Sequence, residues 1–277
     1  MTSRIDLHIH TVFSDGLHTP TEIVEMARRK GLQVISICDH ASIGGIPEAI
    51  EAAAGTRLQV IPGLEISTEA DGLEAHILGY LVDQGCRELR GALSRLRDSR
   101  LERAKEMLAR LRALGLALPL QRLQELAGPG ALGRPHVAKA MVEAHFVGSS
   151  QEAFQRYLSP GRPAYVPRSR TTSGDALRLI RAAGGVPVLA HPWRVTSLLP
   201  DLVAKGLMGL EAYYTGYSPG MTEHLVELAD KYRLVCTGGS DFHGLTLLPN
   251  NRLGQVDVPA KCVEALRNRH RLLVKAP

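Results

Sequence analysis

Histidine, aspartate and glutamate recur at the edges of the apolar runs of this chain, and these side chains bind metal ions. His8 and His10 in "DLHIH" are separated by one residue. In an extended strand, residues i and i+2 point to the same face, so both imidazoles can converge on one ion. Asp15 follows in "FSDG", Asp39 and His40 end "ISICDH", and Glu65 lies in "PGLEIS" with His76 soon after in "EAHILGY". His191 stands before a proline in "VLAHP", and Asp241 and His243 close "GGSDFHG". Of the 11 histidines, His18, His145, His224 and His270 lie away from such places and read as exposed or structural. Singly, each position has an ordinary alternative: His76 as a buried strand histidine, Asp39 or Asp241 as a cap, Glu65 as an arginine partner. Their recurrence at equivalent places favours a shared metal site. All the donors are nitrogen or oxygen, which suits Mn, Fe(II) or Zn in a hydrolytic cluster better than a structural zinc site.

Such a cluster needs elements that deliver each donor to one end of a scaffold. "RIDLHIH" alternates Ile5, Leu7 and Ile9 with Asp6, His8 and His10, the period-two pattern of a half-buried strand. Further strand-like runs are 32–40, 58–67, 74–82, 185–192, 209–216 and 234–244. Helices are expected at 20–30, where Thr19 and Pro20 make a start signal and Gly31 a stop, and near 45–54, 173–183, 196–205 and 219–232. Strand-then-helix units argue for a parallel sheet flanked by helices, with active-site residues at the strand C-termini. Residues 86–160 break the rhythm. A long helical run, with Leu89, Leu93, Leu96, Ala104, Met107, Leu108, Leu111 and Leu114 near helical spacing, ends at Gly115, and shorter helices are expected at 119–127, 134–145 and 150–158.

The 277 residues suffice for one α/β barrel or two domains, and 44% hydrophobic content with mixed charge is that of a soluble globular protein. No apolar run reaches membrane-spanning length and no secretory signal is visible. Four scattered cysteines without CxxC spacing read as reduced thiols of a cytoplasmic protein. The net charge of +5 favours an anionic substrate. Acidic residues interleave the arginines of the long helix, and only 4% of residues are aromatic, which argues against a track for a long single strand. Tyr165, Tyr213, Tyr214 or Trp193 is available to stack on one base.

The pieces "DLHIHTVFSDG", "ICDH", "PGLEIS" followed by "AHILGY", "AHP" and "GGSDFHG", in this order, resemble the PHP (polymerase and histidinol phosphatase) family of metal-dependent phosphoesterases. "GRPHVAKAMV" and "PGRPAYVP" are similar to its small stand-alone members, associated with nucleoside 3′,5′-bisphosphate phosphatase activity and 5′→3′ trimming of short RNA. The resemblance implies an α/β fold, a distorted seven-stranded (β/α)7 TIM-like barrel over 1–84 and 162–277, with a helical lid insertion at 85–161. It implies two to three divalent ions. His8, His10, Glu65 and Asp241 would hold one, Asp15, His40 and His243 a second, and bridging Glu65 with His76 and His191 a third. Asp6 shares the His8 face and is expected to orient a ligand imidazole. Metal-activated hydroxide would then attack phosphorus in line with the leaving group.

Phosphate recognition needs cations beyond the ligands. Arg134 and His136 in "GRPH" are the first candidates, with Arg194 close after His191, and Arg162 and Arg168 behind them. Pro135 suits the first turn of a helix, whose free N–H groups favour anions. The expected partners are phosphorylated nucleotides and short single-stranded RNA. Histidinol-phosphate phosphatase is the alternative within the family, and a non-catalytic metal-binding accessory module the alternative outside enzymes. A metal-dependent amidohydrolase also opens on HxH, but such sites use a mid-chain lysine or glutamate bridge and a lone aspartate on the final strand, whereas here no lysine lies near a strand end and the final strand gives Asp241-x-His243.

Overall fold

The computed structural model describes residues 4–275 except 71, 129, 131 and 168–170. In chain order the elements are β1 (Ile5–Ile9), α1 (Pro20–Arg29), β2 (Val34–Ile37), α2 (Ile46–Ala53), β3 (Gln59–Ala70) and β4 (Leu73–Tyr80). Four helices follow: α3 (Arg87–Ala113), α4 (Leu120–Ala127), α5 (Arg134–Glu143) and α6 (Ser150–Ala153), the last running into a π-helical turn at Phe154–Leu158. The chain then gives α7 (Ser173–Ala182), β5 (Val186–Leu189), α8 (Leu199–Ala204), β6 (Gly209–Tyr214), α9 (Pro219–Lys231), β7 (Val235–Gly239) and α10 (Ala260–Lys275). Two compact units result: Met1–Ala92 with Thr171–Pro277, and Leu93–Arg170.

Local chemistry sets the boundaries. At α1 the Thr19 hydroxyl accepts from the Glu22 N–H, and the Glu22 carboxylate accepts from the Thr19 N–H at 2.8 Å, a reciprocal cap that satisfies donors the helix itself cannot. The expected helix at 196–205 is instead a 3₁₀ turn at Thr196–Leu198 followed by α8. Pro200 lacks an N–H and is tolerated only in a first turn, so the α-helix begins there. In the second unit the α3 stripe of Ala104, Met107, Leu108 and Leu111 forms a core with Leu123, Val137 and Met141.

The seven strands lie in sequential order, β1 to β7. β1, β2 and β3 are parallel, as are β5, β6 and β7, but β4 runs antiparallel to both of its neighbours. The expectation of an all-parallel sheet is therefore corrected at β4. The connection from Ala70 to Leu73 is too short for a crossover, and only an antiparallel hairpin closes so tightly. The ends of the sheet meet. The Asp241 N–H donates to the His8 carbonyl at 2.8 Å and the His10 N–H to the Phe242 carbonyl at 2.9 Å, which makes a nearly closed barrel. A side chain at Gly239 would put its Cβ 2.4 Å from the His8 nitrogen, so closure requires glycine there. Closure also corrects the half-buried reading of β1. All five of its residues are buried, because one face meets the barrel interior and the other the surrounding core.

Candidate metal centre

The strand ends deliver the donors in turn. His8 and His10 come from β1, Asp15 from the following loop, His40 from beyond β2 and Glu65 from β3. Because β4 runs backwards, His76 near its start meets the ends of the parallel strands. It pairs in register with Ser67, two residues past Glu65. His191 and Asp241 follow β5 and β7 with φ of 29° and 53°. Non-glycine residues in this left-handed region are strained, and such strain is kept where a side chain must be aimed. Ala41, next to His40, has φ 51°.

Glu65 is the hub. Its carboxylate lies 2.8 Å from His76 Nδ1, 2.9 Å from His40 Nδ1, 3.3 Å from His10 Nε2, 3.4 Å from His191 Nε2 and 3.6 Å from His8 Nε2. Asp241 Oδ1 sits 3.1 Å from His10 Nε2 and 3.4 Å from His8 Nε2, and Asp15 Oδ1 sits 3.3 Å from His243 Nε2. Donor atoms within 4.8 Å of one another fall into three overlapping groups: His8, His10 and Glu65; His10, Asp15, His40 and His243; His40, Glu65 and His76.

Hydrogen bonding tests whether these residues fit a cation. The Nδ1 atoms of His8, His10 and His243 face acceptors: Glu211 Oε1 at 2.9 Å, Ser14 Oγ at 3.3 Å and the Asp241 carbonyl at 3.0 Å. Ser14 gives its own proton to Asp39 at 2.6 Å, so it accepts from His10. With the proton on Nδ1, each Nε2 presents a bare lone pair. Yet His8 Nε2 and His10 Nε2 are only 3.1 Å apart, where two lone pairs repel and at most one proton fits between them. Buried Asp15 Oδ1 and His40 Nδ1 lack hydrogen bonds although ion-pair partners lie near, because the angles aim them elsewhere. Converging lone pairs and carboxylates without donors are the arrangement a divalent cation satisfies, and the donor set fits Mn, Fe or Zn.

Without a cation, protons take its place between these groups. Burial opposes charge on every member. At His10 and His76 the neighbouring carboxylates prevail and hold the imidazoles up to about 10 and about 9. Burial prevails at His40, pushing it down to about 4 and leaving it neutral. Burial would also raise Asp15, Glu65 and Asp241, but the surrounding imidazoles keep all three well below the carboxylate range.

These shifts fix a pH dependence for the metal-free protein. A group raised by folding stabilises fully below its ordinary value, 6.5 for imidazole, and loses that contribution as pH climbs through the folded value. The depressed carboxylates contribute fully above the carboxylate range and lose their effect only on acidification. Chelated protein is thus expected to lose stability from pH 6.5 towards about 10. Bound metal substitutes for those protons and removes the loss. Thermal melts in EDTA and in Mn²⁺ should show a Tm gap that widens from pH 6 to pH 9. A gap constant across that range contradicts this electrostatic account.

The sequence reading missed Glu211. This fully buried carboxylate on β6 accepts from His8 Nδ1 and, at 2.7 Å, from the backbone N–H of His191, so it orients two candidate ligands. Asp6 does not orient an imidazole as expected. Its carboxylate accepts from the Ser240 N–H at 2.9 Å, the Ser240 hydroxyl at 2.6 Å and the Gly254 N–H at 2.8 Å, which places the turn carrying Asp241. Asp39 likewise holds the loop after β1 through the Thr11 N–H and hydroxyl. Glu211→Gln removes the anion that sets the His8 tautomer, and partners of this kind are worth roughly 10–100-fold in metal affinity. Metal titration of the variant should show that loss. Wild-type affinity would make Glu211 a packing residue only.

Of the predicted phosphate contacts, Arg194 lies three residues after His191 and the others apart from the ligands in sequence. Arg134 opens α5, with its guanidinium 5.7 Å and 5.9 Å from the rings of Phe154 and Tyr165. His136 Nδ1 accepts from the Gly133 N–H at 3.1 Å, leaving Nε2 as the donor of the neutral ring. Arg194 is exposed at the end of a 3₁₀ turn, Pro192–Arg194. Arg162 is exposed in the second unit, and Arg168 lies outside the described residues.

Comparison with known proteins gives matching results. Residues 6–157 match the family model described as PHP domain. The chain is 33% identical over 249 residues, 87% of each chain, to a 3′,5′-nucleoside bisphosphate phosphatase of Chromobacterium violaceum. It is 34% identical over 250 residues, 88% of this chain and 91% of the relative, to a 5′-3′ exoribonuclease of Haemophilus influenzae. A crystal structure from Bifidobacterium adolescentis, described as a metal-dependent phosphoesterase, superposes with a TM-score of 0.86 at 32% identity, covering 96% of both chains.

Proposed function

The chain belongs to the PHP family of metal-dependent phosphoesterases, and on that premise we propose that it removes phosphate from nucleotides, nucleoside 3′,5′-bisphosphates above all. The observation that carries this reading is the convergence of bare imidazole and carboxylate lone pairs on Glu65, beside similarity to a relative named for that substrate. Relatives of near-equal identity differ in name, among them a phosphatase, an exoribonuclease and a cyclic phosphate diphosphodiesterase. The 5′ end of a short RNA presents the same phosphate and is the second substrate class.

Two to three divalent ions, Mn, Fe or Zn, are assigned to His8, His10, Glu65 and Asp241, to Asp15, His40 and His243, and to Glu65, His76 and His191. Bound there, they supply Lewis acidity that activates water and neutralises phosphate charge. The chain's own residues do the rest. Glu211, Ser14 and the Asp241 carbonyl fix the Nδ1 protons of His8, His10 and His243, so the Nε2 of these three faces inward. Arg194 and Arg134 are assigned to the phosphate oxygens, and the Nε2–H of His136 to the leaving oxygen. We place the enzyme in the cytoplasm on its four free thiols. No described helix is long and apolar enough to cross a membrane.

The test compares adenosine 3′,5′-bisphosphate with adenosine 5′-monophosphate in wild type and Arg134→Ala. Loss of a charged donor to the reacting phosphate costs about 2–4 kcal/mol in kcat/KM, with metal content unchanged. If Arg134 grips the remote phosphate instead, KM for the bisphosphate alone rises and kcat holds. Unchanged kinetics for both substrates overturns the role of Arg134, and no release from either ester overturns the substrate assignment.

A further inference from the structure

The chain holds one tryptophan and seven tyrosines, yet Trp193 and three of the tyrosines stand on two segments beside the candidate ligands. The Tyr214 hydroxyl donates to Asp241 Oδ2 at 2.8 Å, and its ring centre lies 5.5 Å from that of His191. The Tyr217 ring is 5.2 Å from Tyr214. Its hydroxyl accepts from the backbone N–H of Trp193 at 3.1 Å, and the two rings are 6.3 Å apart. Trp193 itself is 40% exposed. The rings thus form a continuous row from a candidate metal ligand to a partly exposed indole, which also meets the His224 ring edge-to-face at 5.9 Å.

A cavity of about 730 Å³ opens along Tyr214 and Tyr217, within the size range of small-molecule sites. Glu223 and Asp257 line it, and two carboxylates bar a phosphate. What suits such a place is a flat, uncharged group with a π face. If the aromatic row served packing alone, it would hide its largest ring, whereas the indole is presented to solvent. The row leads from a candidate ligand to the indole, as a nucleotide leads from its phosphate through the ribose to the base.

We propose that Tyr214, Tyr217 and Trp193 form a stacking shelf for the base of the nucleotide whose phosphate lies at the metal-ligand cluster, an inference that rests on the nucleotide phosphoesterase reading. Tyr214 joins the two subsites, since one hydroxyl holds Asp241 while the ring continues the shelf. Stacking accepts every base, because each has a π face, so the shelf favours nucleotides over base-free esters without selecting one base.

Two readouts test this in the full chain. Trp193 is the sole tryptophan, so its fluorescence reports the shelf directly. Titration with adenosine, which carries no phosphate and needs no turnover, should give a saturable change, and Tyr217→Leu should raise the apparent Kd at least tenfold. The kcat/KM ratio of adenosine 3′,5′-bisphosphate to ribose 5-phosphate should fall at least tenfold in Trp193→Ala and in Tyr217→Leu, chiefly through KM of the nucleotide. Trp193 is exposed, so its replacement leaves the fold intact should Tyr217→Leu misfold. No adenosine-dependent fluorescence change, or ratios within twofold of wild type, overturns the shelf. Absence of phosphate release from both esters by wild type overturns the phosphoesterase reading instead, and the adenosine titration then judges the shelf by itself.

Discussion

Glu65→Gln should lower kcat/KM by at least ~10³-fold, the several kcal/mol that bound metal contributes to phosphoryl chemistry. The substitution keeps the shape of the side chain. It converts one oxygen, in a site 1% exposed with five imidazoles within 3.6 Å, into an amide nitrogen that carries no charge and has no lone pair to offer a cation. Water cannot repair the mismatch, and among the described residues no other carboxylate is shared between two of the three overlapping donor groups. Asp241→Asn should act in the same direction but less severely, because Asp241 Oδ1 meets two β1 imidazoles and His243, whereas Glu65 meets five. Metal content per chain and turnover, measured with circular dichroism as the check on folding, decide the matter. A folded Glu65→Gln protein with wild-type metal and turnover would remove Glu65 from the centre.

Much of this arrangement is legible in the sequence because metal ligands obey backbone geometry. His8 and His10 must share a strand face, and the remaining donors must follow apolar runs if they are to meet at one end of a barrel. What escapes the sequence is what depends on partners distant along the chain. The direction of β4 is set by the short link after Ala70, since the residues of β4 themselves do not encode polarity. Glu211 hides in "GLEAYY", where a single carboxylate reads as the polar half of an alternating strand. Its role appears only when β6 brings it to His8, 203 positions away. A buried acid in so apolar a run is nevertheless a signal, since carboxylates are rarely enclosed without a partner. Asp6 carries the right face but the wrong partner, since closure against Ser240 and Gly254 claims its oxygens before any imidazole can. Helix α10 also goes unseen. Its buried Cys262, Val263 and Leu266 have helical spacing, but the basic run from Arg267 to Arg271 obscures the apolar face.

The convergence of lone pairs at the barrel mouth has meaning only if cations occupy it. Exhaustive chelation should therefore abolish phosphate release, and activity should return on titration with Mn²⁺. The loss should exceed that of any single ligand substitution, because each ion contributes both nucleophile activation and charge neutralisation. The most direct measurement follows phosphate release from adenosine 3′,5′-bisphosphate while metal per chain is counted across the same titration. The expected result is no turnover at zero metal and a rise that saturates at two to three ions per chain. Undiminished turnover by protein verified to be metal-free would contradict the metal-centred account of this site.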